Sequence, residues 1–163
     1  MKRILDIESA ISLSKRLRKQ GKKIILAGGC FDVLHLGHIK FLEAAKKIGG
    51  VLFVFVESDE TVGKIKGKNR PINNQETRAQ VLSSIRAVDF VLLIPPLKTN
   101  EQYDKLVVSL HPTLIATTKG SGQIKHNKRQ AKLVGAKVIE VIGQIPEEST
   151  SKIAGIISQE NQL

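Results

Sequence analysis

Residues 28–38 read GGCFDVLHLGH. Two glycines, two histidines and an aspartate follow directly on an apolar run, a mixture that structural loops rarely need. Gly28 and Gly29 allow a sharp turn and a close approach of backbone to a ligand. Phe31 and Leu34 can anchor the loop in a core. His35, Gly37 and His38 fall where the next helix should begin. A helix N-terminus offers unpaired N–H groups and the positive end of a dipole, which together attract anions. Two imidazoles beside it can donate hydrogen bonds to phosphate oxygens, and Gly37 between them leaves room for a phosphate chain.

Other chemistries fit less well. No G-K-[ST] follows the glycines, and no G-x-G-x-x-G is present. Zinc on His35 and His38 would lack a cysteine or carboxylate third ligand nearby, so no metal site is assigned to side chains. The plainest alternative makes one histidine a helix cap and packs the other.

The elements around the motif must place it. Residues 8–19 have a helical apolar pattern, and 22–29 read as a buried strand ending in glycines. Residues 37–48 repeat apolar positions at helical spacing. Val51–Val56 are six consecutive apolar residues, as expected of a strand buried on both faces. A helix over 75–87 and a third strand, DFVLLIPP, follow. Then come a helix over 101–109, a strand PTLIATT, a basic helix over 125–134, a strand AKVIEVI and a last helix over 149–159. Strands alternate with helices throughout. The expected fold is α/β: a Rossmann-like, five-stranded parallel sheet with helices on both faces. The expectation is one domain over 1–163, with residues 1–22 as a helical extension packed on it. Ligands of such sheets bind beyond the carboxyl ends of the strands.

Composition narrows the function. Among 163 residues, one cysteine, Cys30, excludes an internal disulfide framework. No apolar run approaches the ~18 residues of a membrane span, and charges interrupt the N-terminal stretch, so a cytoplasmic location without membrane association is expected. The net charge of +11 favours anionic partners. Aromatics are only 4% and do not interleave with the basic residues, so nucleic acid is not the expected partner.

The motif has the His-x-Gly-His signature of a nucleotidyltransferase superfamily, and the chain resembles its cytidylyltransferase-like enzymes. Within those it is most similar to the adenylyltransferase module that activates heptose 1-phosphate. LRKQGKKIILAGGCFDVLHLGHIKFLEAAKKIG and VESDETVGKIKGKNRPINNQETRAQVLSSIRAVDFV carry the similarity; the C-terminal third is looser. The resemblance implies that ATP or CTP and a phosphorylated sugar or polyol react to a nucleoside-diphosphate product and pyrophosphate, with Mg²⁺ on the triphosphate. It leaves glycerol 3-phosphate with CTP, or flavin mononucleotide with ATP, as alternative substrate pairs. A non-catalytic nucleotide- or nucleic-acid-binding protein on the same scaffold is the alternative of another class. Relatives suggest a homodimer.

The resemblance also assigns residues. His35 and His38 match the histidines that contact the triphosphate, and Lys66 a lysine that reaches phosphate. Cys30, Phe31 and Gly37 belong to the loop that approaches the nucleotide. Ser149, Thr150 and Ser151 match a Ser-Thr segment that opens the last helix beside the phosphates. Asp59, at the end of the second strand, could meet substrate or cap a helix. Arg78 matches an arginine on the substrate side. After the fourth strand, where the family often carries Gly-Asp, this chain has TTKGSGQIKHNKR. Lys119 stands there as a substrate-side residue, and neither the base nor the acceptor is fixed.

Overall fold

A computed structural model describes residues 3–143. In chain order the elements are β1 (Ile4–Leu5), α1 (Ile7–Lys19), β2 (Ile24–Gly29), α2 (Leu36–Lys47), β3 (Val51–Val56) and α3 (Asp59–Lys66). They continue as α4 (Gln75–Ser83), β4 (Phe90–Leu93), α5 (Asn100–Leu110), β5 (Leu114–Thr118), α6 (Ile124–Val134) and β6 (Lys137–Ile142). All strand pairs are parallel, in the order β1-β4-β3-β2-β5-β6.

Among the described residues the sheet therefore has six strands, not the five expected. The additional one is β1, two residues long, which pairs Ile4 with Val91 and Leu5 with Leu92 at the edge. A dipeptide has no periodicity to read; only its docking beside β4 makes it a strand. Asp59–Lys66 is likewise a helix that the apolar pattern did not suggest. Only Val62 of α3 is buried, so its pattern is too sparse to register.

Alternation along the strands divides the core. Ile25, Ala27, Leu52, Val54, Val56 and Val91 face Phe41, Leu42 and Ala45 of α2 and Ala79 and Leu82 of α4. Ile24, Leu26, Phe53, Phe55 and Leu92 face Ala10 and Leu13 of α1, Leu106, Val107 and Leu110 of α5, and Ala131 of α6. Helices thus cover both faces, as parallel strands with apolar residues on each side require. Local signals set the ends: Asp6 caps α1 by accepting from Ser9 N at 2.8 Å, and Thr99 and Gln102 form a capping box on α5.

The strand order reverses at β2, whose neighbours are β3 and β5. β2 pairs with β3 along its whole length, through Gly29 and Val56. It pairs with β5 only at Ile25 and Leu26, against Leu114 and Ile115. Beyond that point β5 follows β6, and the carboxyl ends of β2 and β5 part. A crevice opens at the switch point.

Candidate active site

The crevice leads into a cavity of about 740 Å³. Gly28, Gly29, Cys30 and Phe31 line one wall and Thr117 and Thr118 another; His35, Gly37, His38 and Lys66 reach it from α2 and α3. Glu57, Tyr103, Ser121, Gln123, His126 and Asn127 line it too.

Backbone geometry explains the opening glycines unequally. A Cβ on Gly28 would meet Phe55 at an ordinary 3.5 Å, whereas one on Gly29 would lie 3.0 Å from the Phe31 ring. Phe31 is itself held at φ 47, a left-handed conformation uncommon for a bulky residue, with its side chain buried. The loop turns on Phe31 and tolerates that turn because Gly29 leaves space for the ring.

Two buried ionic groups fasten the loop from behind. Asp32 is 2% exposed; it accepts from the amides of Ile72 (2.7 Å) and Asn73 (3.2 Å) and pairs with Arg70. Arg78, 1% exposed, donates to the carbonyls of Asn73 (2.9 Å), Cys30 and Glu57 (2.7 Å), and to Asp59 Oδ1 (2.6 Å). A planar guanidinium has enough fixed donors to hold these groups together. Arg78 lies beneath the cavity wall rather than on it, with its donors committed to protein. Asp59 is its partner. The helix-capping alternative for Asp59 fails because Ser58 caps α3, accepting from Thr61 N at 3.2 Å.

α2 begins with its N-cap at His35, whose side chain makes no capping hydrogen bond. The imidazoles of His35 and His38 lie one turn apart on the cavity wall, centroids 3.9 Å apart and planes inclined by 34°. Phe31 backs His38, with centroids 5.2 Å apart. Burial, then the neighbouring His35 and Lys66, lowers the His38 pKa to about 4. His38 is therefore neutral at pH 7, with one N–H to donate. Its Nδ1 is buried without a hydrogen bond among the described residues. Burial pushes the Cys30 thiol up, so it is no thiolate nucleophile.

The helix termini at the cavity are biased for anions. α2 and α6 carry no acidic residue in the first turn, whereas α1, α3, α4 and α5 all do. Residues at the starts of both α2 and α6 line the cavity. Their positive dipole ends are thus left uncompensated on the same space. Lys66, at the end of α3, adds a full charge.

The structure brings together His35, His38, Gly37, Cys30, Phe31 and Lys66. Lys119 is exposed and outside the cavity lining; its amide donates to Ile142 O at 2.8 Å. Ser149, Thr150, Ser151 and the helix expected over 149–159 lie outside the described residues. The sequence reading missed Glu57 and Tyr103, although Glu57 directly follows β3 at the carboxyl edge of the sheet. It also missed Asp32 as the support of the motif loop.

No three His, Cys, Asp or Glu side chains are grouped to hold a metal ion among the described residues. Glu57 is the one carboxylate lining the cavity among them, and burial raises its pKa. These residues do not fit a dedicated metal cage. No described helix is long and apolar enough to cross a membrane.

The cytidylyltransferase-like family model matches residues 26–157. The chain is 38% identical over 143 residues to the bifunctional protein HldE of Desulfatibacillum aliphaticivorans, covering 88% of this chain and 26% of that protein. It is 51% identical over 90 residues to HldE of a Nitratiruptor species, covering 55% of this chain and 20% of that one. The chain thus spans about a quarter of the length of these curated relatives. The lipopolysaccharide core biosynthesis protein from Thermoplasma volcanium has a similar structure. Its TM-score is 0.59 at 29% identity, over 77% of this chain and 97% of that one. Pantoate-beta-alanine ligase from Francisella tularensis shares the fold, with TM-score 0.61 at 19% identity, over 94% of this chain and 76% of that one. The chain belongs to the cytidylyltransferase-like family. Its fold is Rossmann-like.

Proposed function

We propose that the chain transfers a nucleoside monophosphate from ATP or CTP to a phosphorylated sugar of the heptose 1-phosphate kind, releasing pyrophosphate. The observation that carries this reading is the pair of imidazoles 3.9 Å apart at the uncompensated N-terminus of α2, inside the switch-point cavity. The acceptor class rests on the resemblance to the heptose 1-phosphate module and on the HldE matches.

In this mechanism a phosphate oxygen of the acceptor attacks the α-phosphorus of the triphosphate. The bond from that oxygen to phosphorus forms as the bond from the α-phosphorus to the bridging oxygen breaks, and pyrophosphate leaves. No side chain needs to form a covalent bond. His35 and His38 donate hydrogen bonds to the α-phosphate oxygens, where charge rises in the transition state, and Lys66 offsets the charge that develops on the leaving group. The α2 terminus holds the phosphate chain, and the cavity aligns the two reactants. Mg²⁺, held by the triphosphate itself, would supply charge neutralisation; such ions need few protein ligands when phosphates provide the rest. The same reading takes residues 1–163 as one domain acting as a cytoplasmic homodimer. It assigns Ser149, Thr150 and Ser151 to the β- and γ-phosphates.

Pyrophosphate release should be measured with ATP and CTP, each against heptose 1-phosphate, glycerol 3-phosphate and flavin mononucleotide. Turnover with the heptose substrate above the other acceptors is expected. Turnover confined to flavin mononucleotide, or none with any pair, would overturn the assignment.

A further inference from the structure

Resting on this reading, one wall of the cavity has a chemistry that phosphate binding does not explain. Glu57 follows β3, and its Oε2 accepts from the Tyr103 hydroxyl of α5 at 2.8 Å. Both residues line the cavity that holds His35, His38 and Lys66. The Glu57 backbone is fixed as well: its amide donates to Gly29 O at 3.2 Å and its carbonyl accepts from Arg78. The carboxyl is thus positioned from both ends. Its Oε1 takes no hydrogen bond from the described residues, which leaves acceptor capacity facing the cavity.

A carboxylate is a poor neighbour for a phosphate and a good one for hydroxyls, because ionised it only accepts hydrogen bonds. Burial works against the charged form of Glu57, and the Tyr103 hydrogen bond and Arg78 work for it. Such a group is costly to leave half-satisfied in a partly buried wall. The cavity therefore has two characters. Lys66 and the α2 terminus accept the phosphate end of an incoming molecule, and Glu57 repels it.

We propose that Glu57, braced by Tyr103, is a specificity-determining residue that hydrogen-bonds the hydroxyls of the phosphorylated acceptor and turns its phosphate toward the histidines. The acceptor class is then a sugar or polyol phosphate with free hydroxyls near the phosphate, in preference to an acceptor lacking them.

The test compares wild type with Glu57→Gln and Tyr103→Phe. Gln keeps the size and can still accept from Tyr103, but it loses the charge. Glu57→Gln should raise KM for the sugar phosphate roughly 10- to 100-fold, as expected for losing a hydrogen bond to a charged group, with the KM for the nucleotide little changed. Tyr103→Phe should have a smaller effect in the same direction. A deoxy analogue of the sugar phosphate should be penalised in wild type and not further in Glu57→Gln. Calorimetric titration of the sugar phosphate, with a non-hydrolysable triphosphate present, separates this inference from the reading beneath it. Tighter binding to wild type than to Glu57→Gln, even without turnover, supports the hydroxyl-reading role and counts only against nucleotidyl transfer. Equal binding to both, or no binding of any sugar phosphate to wild type, overturns the inference. So does an equal rise in both KM values, the mark of a merely structural role.

Discussion

His35 and His38 hold their rings 3.9 Å apart across the first turn of α2, both on the cavity wall. At that separation, in a partly buried wall, protonating one ring opposes protonating the other. His38, buried beside His35 and Lys66, is therefore a neutral hydrogen-bond donor at pH 7, and the helix terminus and Lys66 supply the positive potential.

Stability should depend on pH as a result. The His38 pKa is about 4 in the folded chain, against an ordinary 6.5. Between those values the unfolded chain binds a proton that the folded chain refuses, so the His38 contribution falls as pH drops from 6.5 toward 4. Urea unfolding at pH 7 and pH 5 should show wild type losing more stability than His38→Gln. Equal losses would mean that the ring is not held neutral.

Arg78 tests the support beneath the site. Arg78→Met removes the donors to three carbonyls and to Asp59 and should destabilise the fold by roughly 3–5 kcal/mol in urea unfolding, the range for breaking a buried charged network. Arg78→Lys should recover only part, since one amine cannot span those acceptors. A loss below about 1 kcal/mol would be that of an exposed ion pair instead.

The two opening glycines should respond differently. Gly29→Ala pushes a methyl against the buried ring of Phe31 and should cost about 1–3 kcal/mol, with a lower kcat as the loop shifts. Gly28→Ala meets only an ordinary contact and should be milder in unfolding and pyrophosphate assays. Equal effects would show that Phe31 does not set the loop.

Much of this architecture is legible in the chain because parallel strands covered on both faces must be continuously apolar. Val51–Val56 reads as a strand without ambiguity, and it is β3. The motif histidines are legible for the same local reason, since His-x-Gly-His falls at a strand-to-helix corner. β1 is not legible: Ile4 and Leu5 become a strand only by meeting Val91 and Leu92, which lie far along the chain. α3 escapes notice because Ser58, Asp59 and Glu60 signal its start while a single buried valine marks its face. Asp32 looks like chemistry and is a buried brace, because the partners that neutralise it come from residues 70–73. Glu57 looks like a strand end and lines the cavity, and its partner Tyr103 comes from α5, far along the chain.

In the proposed mechanism the two imidazoles act on the reacting phosphate rather than merely holding nucleotide. Pyrophosphate release by His38→Ala, with triphosphate affinity measured on the same protein, tests it most directly. The kcat should fall by about 100- to 1,000-fold, the effect of removing one transition-state donor, with affinity changed only a few-fold. A wild-type rate of pyrophosphate release from that variant would contradict it.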